Sequence, residues 1–167
     1  MKNITTFVFD VDGVLTDGHV IALASGEQAR TFLVKDGYAI EQAIKAGYRV
    51  VIISGGFQEG VRKRLEFLGI SDIFLNVKLK LPILEKYLSE NKITPEEVLY
   101  MGDDIPDIDP MNFAGIGACP ADAAEDVLAI SKYISAKAGG KGAVREVIEK
   151  VMKVQNTWLV KNRPSNA

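Results

Sequence analysis

From Val50 to Ile53 every side chain is apolar and β-branched, so this stretch has no polar face to offer water. A strand of that kind has to be covered on both sides, which places it inside a parallel sheet between two helical layers. It stops abruptly at Ser54-Gly55-Gly56. Two other apolar runs behave alike: Phe7 to Phe9 ends in Asp10-Val11-Asp12-Gly13, and Val98 to Met101 ends in Gly102-Asp103-Asp104. Shorter strands are expected over 73–77, 116–119 and 133–135.

Segments of helical period lie between these strands. Tyr38 to Gly47 carries Ile40, Ala43 and Ile44 on one face, with Asp36-Gly37 ahead of it and Gly47 as the stop. Helices are also expected over 58–68, 80–90 (Pro82 is tolerated in the first turn), 106–113, 122–130 and 142–154. Val20 to Val34 alternates loosely about Ala24-Ser25-Gly26-Glu27 and reads as a small hairpin flap, about 17–34, with no inserted cap domain. Strands alternating with helices imply a three-layer α/β fold of Rossmann type around a central parallel sheet. With 167 residues, 47% of them hydrophobic, the chain supports one such domain, 1–154, followed by a tail, 155–167.

Composition excludes several functions. The net charge is −2 and the charged residues are interspersed without a basic stripe, so neither nucleic acid nor an anionic membrane is an expected partner. No apolar run approaches the roughly 18 residues of a membrane span, and Met1-Lys2-Asn3 leads straight into strand, so a cytoplasmic location is expected. The single cysteine, Cys119, excludes an internal disulfide and reads as a buried apolar residue; the single histidine, His19, cannot build a histidine metal site.

Ligands of such sheets bind beyond the carboxyl ends of the strands, where the order of connections reverses. Asp10, Asp12, Ser54, Gly55, Asp103, Asp104 and Asp107 all fall there, and Lys80 opens the helix before the last of these strands. Asp10 and Asp12, two apart in extended chain, share a side, and two carboxylates side by side call for a cation, unless the strand simply ends in an acidic turn, which Asp and Gly both favour. A carboxylate attacking a phosphate meets repulsion of roughly 4 kcal/mol per charge pair at about 4 Å and an effective dielectric near 20. A divalent ion on oxygen ligands together with a lysine removes that obstacle, so the set suits phosphoryl transfer. Ser54 and the amides of the following glycines suit phosphate oxygens at a helix N-terminus.

DVDGVLTDG, IISGG, Lys80 and GDDIPD, in that order, resemble the four motifs of the haloacid dehalogenase-like superfamily. VKDGYAI and AGGKGAVREV narrow the likeness to its small capless members, similar to the 3-deoxy-D-manno-octulosonate 8-phosphate phosphatases, over roughly residues 5 to 152. The resemblance implies Asp10 as nucleophile and Asp12 as general acid and base. It implies Mg2+ held by Asp10, the Asp12 carbonyl and Asp103, and phosphate held by Ser54, Gly55 and Lys80. Asp107 would support the metal's waters and Asp104 would orient Lys80. It also implies a homotetramer in which hairpins pack together and a neighbour covers the site.

Other roles remain open at this level. Lys78 is the alternative to Lys80, helix capping is the alternative for Asp107 and Asp109, and turn roles compete for Asp17 and Asp36. The 139–142 loop with Arg145 either reaches substrate or is a backbone turn. The tail either docks near an adjacent site or is disordered. The octulosonate enzymes commonly carry an arginine where this chain has Gly56. Related nonulosonate 9-phosphate enzymes carry a glutamate there and a lysine in place of Phe67. Arg64 is the candidate clamp for a substrate carboxylate, and a 2-keto-3-deoxy sugar acid phosphate is the expected substrate. A receiver-like phosphoryl acceptor and a silent assembly protein are the non-enzymatic alternatives.

Overall fold

The computed structural model describes residues 1–159. Six parallel strands form the central sheet in the order β5-β4-β1-β6-β7-β8. They are β1 (Thr6–Phe9), β4 (Arg49–Ile53), β5 (Asp72–Phe74), β6 (Val98–Met101), β7 (Ile116–Cys119) and β8 (Tyr133–Ile134). The hairpin strands β2 (Ile21–Ala22) and β3 (Gln28–Ala29) pair antiparallel outside the sheet. The helices are α1 (Val34–Lys45), α2 (Glu59–Phe67), α3 (Lys80–Asn91), α4 (Ile108–Phe113), α5 (Glu125–Ile130) and α6 (Ala143–Val154).

Alternation along each strand divides the core into two layers. Phe7 and Phe9 of β1 face Ile40, Ala43, Leu65, Val147 and Ile148 on α1, α2 and α6. Val8, with Val51, Ile53 and Tyr100, faces Leu84, Leu88, Met111 and Val127 on α3, α4 and α5. These strands therefore have no solvent face, and their backbone register is held by burial on both sides.

The chain begins in the middle of the sheet, runs outward through β4 and β5, then crosses to β6 on the other flank of β1. Thr6 pairs with Arg49 on one side and Val98 on the other, so β1, β4 and β6 end level with one another. That shared end is the topological switch point, and the loops leaving it carry Asp10, Ser54 and Asp103.

Several boundaries differ from the sequence-based expectation: β5 ends at Phe74 rather than at residue 77, and the helix expected from Pro106 opens as a 3-10 turn before α4. Helix α1 starts at Val34 rather than after Gly37, so Asp36 and Gly37 are buried in its first turn. The hairpin has only two residues per strand, all exposed. Helix α5 begins at Glu125, because Asp122 accepts a hydrogen bond from the Gly139 amide and belongs to a loop. The first residues of the expected tail are packed: Thr157 and Trp158 donate their amides to the Met152 carbonyl, and Gln155 donates to the carbonyls of Met1 and Ile4. The rest of the tail, 160–167, lies outside the described residues.

Candidate active site

Asp10 leaves the end of β1 with its backbone still in the ladder, its amide donating to the Met101 carbonyl at 3.1 Å. One carboxylate oxygen accepts from the Val11 amide at 2.7 Å and the other meets Lys80 Nζ at 2.8 Å. The loop then turns sharply through Gly13, whose φ is +81°. A Cβ there would sit 1.9 Å from Asp103 Oδ2, so both backbone sign and space require glycine at this position. The turn is braced from outside: the Gly140 amide donates to the Val14 carbonyl at 3.0 Å, and a Cβ on Gly139 would overlap the Gly13 carbonyl. The 139–142 loop is thus a backbone support, with Lys141 paired to Asp17 at 3.3 Å.

One oxygen from each of Asp10, Asp103 and Asp107 lies within 4.8 Å of the other two. These three carboxylates differ in what they are free to do. Asp107 is fully committed: its Oδ1 accepts from Lys80 at 2.7 Å and from the Tyr100 hydroxyl at 2.8 Å, and its Oδ2 faces the amides of Asp103 and Asp104. Asp103 Oδ1 is buried with no hydrogen-bond partner among the described residues. A buried carboxylate oxygen without a donor is costly unless a cation completes it. The donor set therefore fits a hard divalent ion on Asp10 and Asp103, with Asp107 outside the coordination.

Electrostatics agree with that division. Burial, reinforced by Asp107, raises the Asp10 carboxyl to about 6 against the pull of Lys80. Burial, reinforced by Asp10 and Asp107, raises Asp103 to about 7. Burial works against the Lys80 charge, yet Asp10 and Asp107 together hold its ammonium above the usual value. One lysine does not neutralise three carboxylates, and the remaining negative charge is what a metal ion would meet.

Two expected roles change. Asp104 does not orient Lys80; its carboxylate accepts from the Ile105 amide at 2.8 Å and caps the following 3-10 turn. The lysine's second partner is Asp107, which turns back under the sheet end and accepts from Lys80, Tyr100 and two amides. Lys78 has no bond in this cluster, and Lys80, 5% exposed, is the lysine of the site.

Ser54 is buried at the end of β4, where its Oγ accepts from the Gly56 amide at 3.3 Å. A Cβ built on Gly56 would lie 3.7 Å from both Ser54 Oγ and Asp12 Oδ2, so these two groups face one gap. Gly55 makes no specific contact there. Arg64 lies farther out on α2, stacked on the Phe67 ring at 5.8 Å, and lines a cavity of about 980 Å³ between the hairpin and α2.

Arg30, on the far side of the hairpin, was not anticipated. Its Nε donates to Asp12 Oδ1 at 2.7 Å and a terminal nitrogen donates to Oδ2 at 3.0 Å, a two-point grip on the expected acid. A basic residue in a loosely alternating flap carries no signal that the hairpin folds it back over Asp12. Tyr100 sits in an apolar strand pattern that gives no sign that its hydroxyl reaches Asp107 from beneath.

Comparison with known proteins places this geometry. The family model of the haloacid dehalogenase-like hydrolases matches residues 33–115. The 3-deoxy-D-manno-octulosonate 8-phosphate phosphatase KdsC of Escherichia coli K12 is 36% identical over 154 residues, covering 92% of this chain and 82% of that protein. The Yersinia pestis enzyme of that name has a crystal structure with a TM-score of 0.91 at 34% identity, covering 93% of this chain and 84% of that one. The Moraxella catarrhalis phosphatase, solved with magnesium, phosphate and KDO, gives 0.90 at 37% identity, covering 93% and 89%. The likeness covers more than nine tenths of the chain at over 30% identity, and the chain belongs to the haloacid dehalogenase-like hydrolase family.

Proposed function

We propose that this hydrolase is a magnesium-dependent phosphomonoesterase acting through an aspartyl-phosphate on Asp10. Its proposed substrate is a 2-keto-3-deoxy sugar acid phosphate, foremost 3-deoxy-D-manno-octulosonate 8-phosphate. Hydrolysis would release KDO, a precursor of lipopolysaccharide, and phosphate. The observation that carries the reading is the unpartnered Asp103 oxygen beside an Asp10 that Lys80 neutralises. The relatives' activity, and the magnesium, phosphate and KDO held by the Moraxella protein, support the choice of ion and substrate.

The steps follow from the residues. Asp10 attacks phosphorus while Ser54 and Lys80 hold the phosphoryl oxygens. Asp12 gives its proton to the departing sugar oxygen, then takes one from the water that attacks the aspartyl-phosphate; phosphate leaves and Asp10 is restored. Magnesium, held by Asp10, Asp103 and the Asp12 carbonyl, would supply charge neutralisation to the phosphoryl group. Gly55 contributes close backbone approach and Arg64 a clamp for the substrate carboxylate.

A homotetramer in the cytoplasm belongs to the same reading. The hairpin presents Val20, Ile21 and Leu23, each more than 40% exposed, and packing against other copies would bury them. No helix of the described residues is long and apolar enough to cross a membrane.

Phosphate release with magnesium, measured on octulosonate, nonulosonate and hexose phosphates and on an aryl phosphate, tests the proposal. The octulosonate ester is expected to lead and Asp10→Asn to abolish turnover on all. Equal, feeble rates would refute the substrate. Retention of one phosphoryl group without turnover would refute hydrolysis in favour of a receiver-like acceptor.

A further inference from the structure

Arg30 commits both oxygens of Asp12. Its Nε and a terminal nitrogen take Oδ1 and Oδ2, and its third nitrogen donates to the Gln28 carbonyl at 3.2 Å. The Arg30 side chain is only 5% exposed, whereas Asp12 is 36% exposed. The hairpin is held in this position by a second link, from Gln58 Nε2 on the α2 side to Gln28 Oε1 at 3.1 Å. Arg30 also lines the 980 Å³ cavity, beside Phe32, Phe57 and Arg64. It therefore stands between the group that must protonate the leaving oxygen and the space that the leaving group would occupy.

That arrangement cannot persist through turnover. Asp12 needs at least one oxygen free to pass a proton, so one or both bonds of the fork must open. A guanidinium buried to this extent is not left without an anion, because an unpaired charge out of water is strongly unfavourable. Glu27 and Glu59 line the same cavity, but neither is paired with Arg30.

We propose that Arg30 exchanges partners: it holds Asp12 in the free enzyme and shifts onto an anionic oxygen brought by the substrate, which frees Asp12 for the leaving oxygen. The planar fork that fits a carboxylate fits a second carboxylate or a phosphoryl group equally well. Arrival of the substrate anion is thereby coupled to release of the acid, and a ligand without that anion leaves the acid engaged. The inference rests on the proposed role of Asp12 but makes its own claim about binding.

The test uses the full-length chain with magnesium and measures dissociation constants by calorimetry for two probes, inorganic phosphate and 3-deoxy-D-manno-octulosonate, in wild type, Arg30→Met and Arg30→Lys. Thermal midpoints check that each variant is folded, with Arg30→Met expected below wild type because it breaks the pair with Asp12. Arg30→Met is expected to weaken one probe at least tenfold, and Arg30→Lys, which keeps the charge without the fork, to recover part of that loss. Loss on phosphate identifies the phosphoryl group as the new partner; loss on the sugar acid identifies its carboxylate. In turnover of the octulosonate ester the KM of Arg30→Met should rise by a similar factor.

Changes below threefold on both probes, with kcat alone reduced, would overturn the exchange and leave Arg30 as a fixed brace for Asp12. Failure of wild type to bind either probe would overturn it as well. A wild type that binds phosphate yet hydrolyses no sugar acid ester would refute the proposed function, while the binding comparison would still decide the role of Arg30.

Discussion

Lys80 Nζ and Asp107 Oδ1 lie 2.7 Å apart on side chains that are 5% and 1% exposed, and this buried pair supports the reactive carboxylate from below. The lysine reaches Asp10 from the first residue of α3, while Asp107 reaches it from the turn after β6. The pair therefore ties two loops of the switch point to the nucleophile. Tyr100 donates to the same Asp107 oxygen at 2.8 Å, and the amides of Asp103 and Asp104 face the other at 3.3 and 3.5 Å.

Asp107→Asn should remove the charge but keep the shape. Lys80 would retain only Asp10, and breaking a buried ion pair by removing one partner costs about 3–5 kcal/mol. The lower end is expected here because one carboxylate remains. Urea unfolding without magnesium measures this, and a loss under about 1 kcal/mol would mean that Asp107 is held by Tyr100 and the amides more than by charge.

Asp103→Asn should behave in the opposite sense. In the metal-free protein Asp103 adds a repelling charge beside Asp10 and Asp107, and its Oδ1 is unpartnered, so the substitution should leave thermal stability unchanged or raise it. Magnesium should stabilise the wild type through linkage, by about 2.7 kcal/mol at a hundredfold excess over its dissociation constant. The variant should lose that gain along with turnover. Thermal scans in magnesium and in chelator give both numbers, and a variant that still gains from magnesium would remove Asp103 from the metal site.

The legible part of this molecule is the part decided by local pattern. Strands β1, β4 and β6 are apolar on both faces and end in Asp, Ser and Gly, so their burial and the place of the crevice follow directly. The sequence pattern starts helix α1 four residues late because Leu33-Val34-Lys35 continues the loose alternation of the flap. The helix begins there because Asp36 is drawn inward, its Oδ1 accepting from the Arg145 amide 109 residues away. The pairing with Lys80 falls to Asp107 rather than to Asp104 for a similar reason. Asp103, Asp104 and Asp107 fall within five residues, and only the path of the turn after Gly102 decides which carboxylate points under the sheet. Arg30 shows the limit most clearly: its partner is set by where an isolated hairpin folds, and the residues of the hairpin's two strands are all exposed.

The raised carboxylates make the metal-free protein sensitive to pH. Burial holds Asp10 near 6 and Asp103 near 7, both above the ordinary aspartate value, so the folded state binds protons that the unfolded chain has released. Their stabilising contribution is complete below about pH 4 and is lost as pH rises through 6 and 7. In chelator, stability should therefore fall from pH 5 to pH 8 as far as these groups are concerned. Saturating magnesium, which favours the ionised forms, should flatten that fall. Denaturant titrations at the two pH values check it, and identical slopes with and without the metal would contradict the assignment of Asp10 and Asp103 to one ion.

Asp36 supplies the part of this dependence that magnesium should not touch. Its side chain is buried against the start of α6, Oδ1 accepts from the Arg145 amide at 2.8 Å, and Oδ2 has no partner among the described residues. Burial raises its carboxyl to about 6, offset in part by the Arg145 amide and charge and by the Gly142 amide. The raised value again means stability that is present in acid and lost as pH rises through 6. Asp36→Asn keeps an acceptor for the Arg145 amide and removes the buried charge. The variant should match wild type near pH 5 and exceed it at pH 8, by about 1 kcal/mol or more, on the scale of a hydrogen-bonded buried charge. Chemical unfolding at both pH values in chelator, then in magnesium, separates it from the metal site. A variant less stable than wild type at pH 8 would show that the ionised carboxylate, through its bond to the Arg145 amide, stabilises the helix more than burial opposes it.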